Sequence, residues 1–128
     1  MNVAVITGTL KNSLSALKAA QAISLGIKKA CNNVSITEIP MSDGGEGFTY
    51  CIVKAKSGKI INVKVNDALM RPTDSFFGIL PDNTAIIEMA AASGIEKIET
   101  NKLNPLIANT YGTGQLIKHA LDYGCKNI

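Results

Sequence analysis

The stretch from Val3 to Ile39 constrains the fold more than any other part of the chain. Val3-Ala4-Val5-Ile6 is a short apolar run that stops at Thr7-Gly8, and it reads as a buried strand. Ala16, Ala20, Ile23 and Ile27 then recur at helical spacing, with Lys18, Gln21 and Lys28 turned away and Ser13 placed to cap the helix. Asn32-Asn33 breaks the pattern, and Val34 to Ile39 alternates as a second strand. Strand, helix and strand in that order predict a parallel pair. The expected class is α/β, with a mostly parallel, Rossmann- or flavodoxin-like sheet in three layers.

The remainder continues the alternation. Pro40 to Gly47 is a glycine-rich loop, after which Phe48, Cys51, Ile52 and Ala55 sit at helical spacing until Ser57-Gly58. Ile61, Val63 and Val65 alternate with Asn62 and Lys64 as a strand. Residues 75–80 and 84–88 read as two more strands, turning at Pro81-Asp82-Asn83. Ala90 to Gly94 is a small-residue connection, and Pro105 opens a short helical turn. Residues 113–123 read as a helix with Leu116, Ile117, Ala120 and Leu121 inward and His119 on the polar side. Tyr123-Gly124-Cys125-Lys126-Asn127-Ile128 reads as a glycine-capped helix end followed by the opening of another strand. The expected organisation is an N-terminal α/β domain over 1–66 and the start of a second over 67–128, in a chain truncated within a larger fold.

Composition narrows the function classes. With 46% apolar and 18% charged residues, the 128-residue chain is globular and long enough to bury a core. Its 13 basic and 10 acidic side chains give a net charge of +3, spread without a basic cluster, so no nucleic-acid partner is expected. No apolar run approaches membrane-spanning length, and Met1 to Gly8 lacks the basic and apolar regions of a signal peptide. Cys31, Cys51 and Cys125 are odd in number and widely spaced, which fits neither a disulfide framework nor a zinc site. They read as small buried hydrophobes of a protein in the cytoplasm.

Chemistry is expected in the loops that follow strands and precede helices, where open α/β sheets bind ligands. Thr7 to Ser13 carries Lys11 and three hydroxyls ahead of a helix N-terminus, a setting suited to an anion. The alternative is an ordinary Ser13 cap with a solvated Lys11. Met41-Ser42-Asp43-Gly44-Gly45-Glu46-Gly47 places two carboxylates among three glycines. Glycines allow close backbone approach to a ligand, and the carboxylates suit Mg²⁺. Asp43 and Glu46 also have capping-box spacing, and the two readings are compatible. Glu88 ends an apolar strand, and Thr110-Tyr111-Gly112-Thr113-Gly114 precedes the last helix with glycines and hydroxyls suited to phosphate or carboxylate. A paired structural carboxylate and hydroxyl caps are the alternatives there. No Ser-His-Asp or Cys-His pairing and no Walker A motif is present.

Five stretches resemble the two-domain bacterial glycerate kinase family, in the family's order and across essentially the whole chain. They are Lys11-Asn12-Ser13-Leu14-Ser15-Ala16, Pro40 to Gly47, Phe77-Gly78-Ile79-Leu80, Ile87 to Gly94, and Asn104-Pro105-Leu106 with Thr110 to Leu116. The resemblance implies two α/β domains with the active site between them, and attack by a glycerate hydroxyl on the γ-phosphate of Mg·ATP. It implies catalytic roles for Lys11, Asp43 and Glu46, with Asp43 on Mg²⁺. Substrate or phosphate would contact Ser13, Gly44, Gly45, Glu88, Thr110, Gly112, Thr113 and Gly114.

The family continues with an apolar strand and a Gly-Gly-Ser-Ala-Thr-Asn-Asp-Gly-Gly loop, so the chain is expected to be an N-terminal portion, inactive alone. Two departures stand out. Gly8-Thr9-Leu10-Lys11-Asn12-Ser13 replaces the family's usual Asp-Ser-Phe-Lys-Gly-Ser, and Leu103 stands where the family often has Arg. They motivate an alternative substrate, another hydroxy acid. A further alternative is a non-catalytic remnant or small-anion binder. Association through an exposed sheet edge, or a homo-oligomer, is expected of the short chain.

Overall fold

The computed structural model describes residues 1–11 and 13–128; Asn12, within the Lys11–Ala16 stretch, lies outside them. The chain divides into two compact units, Met1–Cys51 and Ile52–Ile128.

In the first unit, β1 (Asn2–Thr7) and β2 (Ser35–Pro40) pair in parallel, with Val3 opposite Ile36 and Thr7 opposite Pro40. The crossover helix α1 (Ala16–Ala30) packs on both strands. Its cap is Ser15, whose side chain accepts from Lys18 N, and not Ser13 as the sequence led us to expect. Ser13 is occupied in a turn that precedes the helix, where its N–H donates to Leu10 O at 2.9 Å. The buried stripe of α1 is Ala16, Ala19, Ala20 and Ser24, while Ile23 is exposed, so small side chains set the close approach of helix and sheet. Thr7 Oγ1 donates to Ala16 O at 2.8 Å and ties the end of β1 to the first turn of α1. Helix α2 (Phe48–Ala55) carries the chain from the first unit to the second.

The second unit holds β3 (Lys59–Asn66), β4 (Pro72–Ile79) and β5 (Ala85–Ile86) in an antiparallel meander. The α/β class is as expected, but among the described residues parallel pairing is confined to β1–β2 and to the bridge between Thr84 and Asn127. The reason is the short Asp67–Arg71 connection, since a parallel crossover requires a dozen residues or more. The β4–β5 turn closes with Asn83 at φ 62°, a left-handed position that asparagine tolerates. β4 starts at Pro72 instead of residue 75, and β5 is shorter than the expected 84–88.

After β5 come the short helix α3 (Met89–Ser93), two 3₁₀ turns, and α4 (Tyr111–Asp122). The chain then returns beside β5, where Asn127 bridges Thr84 in parallel and Ala85 N donates to Asn127 O at 2.8 Å. That is the expected opening of another strand. Phe77, Ala85, Ala120 and Cys125 form one core cluster, and Val65, Ala92 and Leu116 a second. On α4 the inward residues are Gly112, Leu116 and Ala120; Ile117 and Leu121 are exposed, against expectation. The helix starts at Tyr111 rather than residue 113, so Gly112 joins the buried stripe and sets its direction. Cys31 is exposed and only Cys125 is buried, which corrects the reading of three buried thiols. Among the described residues no helix is long and apolar enough to cross a membrane.

Candidate functional site

Parallel pairing puts the loops after β1 and β2 at the same end of the sheet. Met41 N donates to Thr7 O at 2.8 Å, extending the pairing by one bond beyond the strands. Thr9 Oγ1 then donates to Glu46 O at 3.1 Å, so the Thr7–Ser13 loop and the Met41–Gly47 loop are joined side by side. Lys11, Ser13, Asp43, Gly44 and Glu46 are all exposed. No ion pair involves Lys11, Asp43 or Glu46 among the described residues.

The second loop is shaped by its own side chains. Asp43 Oδ1 accepts from Gly45 N at 3.1 Å, and Ser42 Oγ accepts from Gly44 N at 3.3 Å. Gly44 and Gly47 take φ of 101° and 87°, the left-handed region that side chains avoid. Asp43 therefore forms a turn within the loop instead of capping α2, which begins later, at Phe48. Its second carboxylate oxygen has no described donor. No group of three or more His, Cys, Asp or Glu side chains clusters among the described residues. The donor set here is one or two carboxylates, which is what Mg²⁺ takes when phosphates and water complete its shell.

In the second unit Glu88 is buried, at 3% exposure, where the chain passes from β5 into α3. Ser93 Oγ and Thr113 Oγ1 lie 3.1 Å apart and link the end of α3 to the first turn of α4. Tyr111 N donates to Asn109 Oδ1 at 2.9 Å and Gly114 N to Thr110 O at 3.2 Å. The N–H groups of Gly112 and Thr113 have no acceptor among the described residues. Thr110 occupies the cap position, and its hydroxyl makes no cap bond. Gly112 is there for contact: an added Cβ would fall inside the van der Waals radius of Asn66 O.

Residues that the sequence did not single out hold this region together. Asp67 is buried, and its carboxylate accepts from Leu69 N, Arg71 N and Arg71 Nε at 2.8, 2.9 and 2.7 Å. Arg71 Nη2 continues to Lys97 O at 3.0 Å. Asn109 donates to Ala68 O from both its backbone N–H (3.0 Å) and its Nδ2 (3.2 Å), which docks the β3–β4 turn on the start of α4. The only sequence signal was the opposite charge of Asp67 and Arg71.

The glycerate kinase family pattern matches residues 3–128. The chain belongs to the glycerate kinase family. It is 43% identical to a glycerate kinase of Bacillus subtilis and 44% identical to one of Haemophilus influenzae, in each case over its whole length and 34% of the relative's. It is 37% identical to glycerate 2-kinase of Escherichia coli over the same share. A crystal structure assigned to glycerate kinase 2 of Salmonella typhimurium LT2 superposes with a TM-score of 0.77 at 38% identity, covering 98% of this chain and 34% of that one. The chain thus spans about a third of the length of the glycerate kinases it matches. The joined loops and the Glu88–Ser93–Thr113 region both fall within the matched residues.

Proposed function

We propose that this chain is the N-terminal part of a glycerate kinase, transferring the γ-phosphoryl group of ATP to a hydroxyl of glycerate in the cytoplasm. The observation that carries the reading is the junction of the two loops at the end of the parallel pair. It brings one lysine, two carboxylates and a glycine-rich backbone to one exposed edge within a family of kinases. Phosphoryl transfer depends on positioning and charge neutralisation, and these are the group types it requires.

The roles divide by chemistry. Lys11 supplies a point charge for a phosphate, and Ser13, Gly44 and Gly45 supply short polar and backbone contacts. Asp43 and Glu46 are the residues that would hold Mg²⁺, which shields phosphate charge when bound. The Thr110 hydroxyl and the N–H groups of Gly112 and Thr113, which have no acceptor among the described residues, are offered to a second anionic group at the positive end of α4, where Gly114, its own N–H bound to Thr110 O, adds no bulk. Glu88, buried where β5 passes into α3, is the carboxyl group of this region.

The test is Asp43→Asn in the full-length parent enzyme. Asparagine keeps an Oδ1 acceptor for Gly45 N, so the turn survives while the charge is lost. Loss of a metal contact removes several kcal/mol of transition-state stabilisation, whereas loss of a local turn contact costs about 1 kcal/mol of stability. A coupled ADP assay with D-glycerate should show kcat falling at least about a hundredfold with Tm nearly unchanged. A variant that melts early yet turns over normally in the cold would reduce Asp43 to a turn former.

A second reading, a kinase for another hydroxy acid, is favoured by Gly8, which follows β1 at the joined loops where the family usually has an aspartate. The same assay run with a panel of hydroxy acids decides between the two.

A further inference from the structure

The second unit contains a cavity of about 410 Å³ between the β3–β4 turn, the end of α3 and the segment leading into α4. No ionisable side chain lines it. Its walls are Ala68, Ile95, Ile98, Leu103, Pro105 and Ala108, and its polar groups come from Ser93, Asn104, Asn109 and Thr110. The cations closest in the chain are already engaged. Arg71 binds Asp67 and Lys97 O, Lys97 Nζ donates to Thr73 Oγ1 and Asp74 O at 3.2 and 3.1 Å, and Lys102 Nζ donates to Glu99 Oε1 at 2.7 Å. A carboxylate placed in this cavity would find no counter-charge and would be desolvated at a cost.

We infer that this cavity takes the uncharged base and sugar of the nucleotide, and not the hydroxy acid. The inference rests on the phosphotransferase reading for the presence of a nucleotide. A cavity of this size, mostly apolar with a few placed polar groups, is the usual form of a small-molecule site. A purine presents two apolar faces and an edge of ring nitrogens that accept hydrogen bonds. The groups left to meet that edge are specific. Asn104 Oδ1 accepts from Leu106 N at 3.0 Å, which leaves the amide NH₂ uncommitted among the described residues. The Thr110 hydroxyl makes no cap bond. Asn109 is spent at both ends, on Ala68 O and Tyr111 N, and acts as a wall. Thr110 also leads directly into the N–H groups of Gly112 and Thr113, which have no acceptor among the described residues, so phosphates leaving the sugar would meet donors and not carbonyls.

The probe is adenosine, which has the base and sugar but no charge. It is titrated into the full-length parent with methyl-labelled alanine and isoleucine, followed by NMR. Adenosine should shift the methyl signals of Ala68, Ala108 and Ile98, and D-glycerate alone should not. Leu103→Glu puts a charge on an exposed part of the wall and should weaken adenosine binding by about tenfold or more. Shifts of these methyls by D-glycerate overturn the inference, as does the absence of any shift with adenosine, or binding indifferent to Leu103→Glu. The activity reading is judged separately, by glycerate-dependent ADP release from the full-length parent. An active parent with a silent cavity refutes this inference alone, and an adenosine-binding cavity in a parent that ignores glycerate refutes the substrate alone.

Discussion

Asp67 holds Arg71 at two points: its Oδ1 accepts from Arg71 N at 2.9 Å and its Oδ2 from Arg71 Nε at 2.7 Å. The pair closes the β3–β4 hairpin, and Arg71 passes the constraint to Lys97 O, next in the chain to the cavity-lining Ile98. Burial works to raise the Asp67 carboxyl. The hydrogen bonds from Arg71 and from Leu69 N, with the Arg71 charge, outweigh it and hold the group below the ordinary aspartate range.

Asp67→Asn should therefore destabilise the chain by roughly 2 kcal/mol near neutral pH, because charge-assisted bonds at a buried site are lost. The sign with pH follows from the depressed value. The unfolded carboxyl titrates near the ordinary aspartate value of 3.8, and the folded one lower. The Asp67 contribution is fully present above the unfolded value and fades as pH falls through the folded one. Urea melts of both proteins from pH 7 downward should show a gap that is constant to about pH 5 and then narrows. A gap that widens toward acid would mean that Asp67 is not held as a carboxylate.

The parallel half of the fold was legible because β1 and β2 are plain apolar or alternating runs with a helix of matching period between them. From that pairing the adjacency of the Thr7–Ser13 and Met41–Gly47 loops follows. The antiparallel half was harder to read because the β3–β4 turn has no glycine, proline or asparagine between Asp67 and Arg71. Met70 takes φ 63° there, held by a bond from its N–H to Asp67 O that no local pattern announces. The start of α4 was hidden for the opposite reason. Gly112 and Gly114 look like loop residues, but Gly112 is selected by contact with Asn66. The cavity was illegible because Ala68, Ile98, Leu103 and Ala108 meet only through tertiary structure.

Two leucines on α4 separate the observed helix face from the one periodicity alone suggests. Leu116 is fully buried between Val65 and Ala92, whereas Leu121 is 55% exposed. Leu116→Ala should cost about 2–5 kcal/mol, from lost burial plus the cavity left behind. Leu121→Ala should stay within about 0.5 kcal/mol of the parent. Denaturant midpoints of the two variants check the pair, and equal losses would mean that α4 is rotated from the face described.

Two glycine-to-alanine substitutions, both within helices, should move stability in opposite directions. At Gly26, in α1, an added Cβ meets nothing within 4 Å, so alanine only removes unfolded-state freedom and favours the helix. The expected gain is about 0.5–1 kcal/mol. At Gly112 the added Cβ collides with the Asn66 carbonyl, a backbone group at the end of β3, and approaches Ala92 Cβ at 3.3 Å. Neither neighbour is the end of a flexible side chain. Relief requires α4 to move outward, which would strain the Gln115 Oε1 contact with Asn66 N at 2.7 Å and the Asn109 bonds to Ala68 O. Overpacking of this kind costs about 1–3 kcal/mol. Thermal melts of Gly26→Ala, Gly112→Ala and the double variant should show a rise, a fall and their sum, since the two sites lie in different units and share no partner. A Gly112→Ala variant as stable as the parent would mean that α4 does not pack against the end of β3, and the walls assigned to the cavity would have to be redrawn.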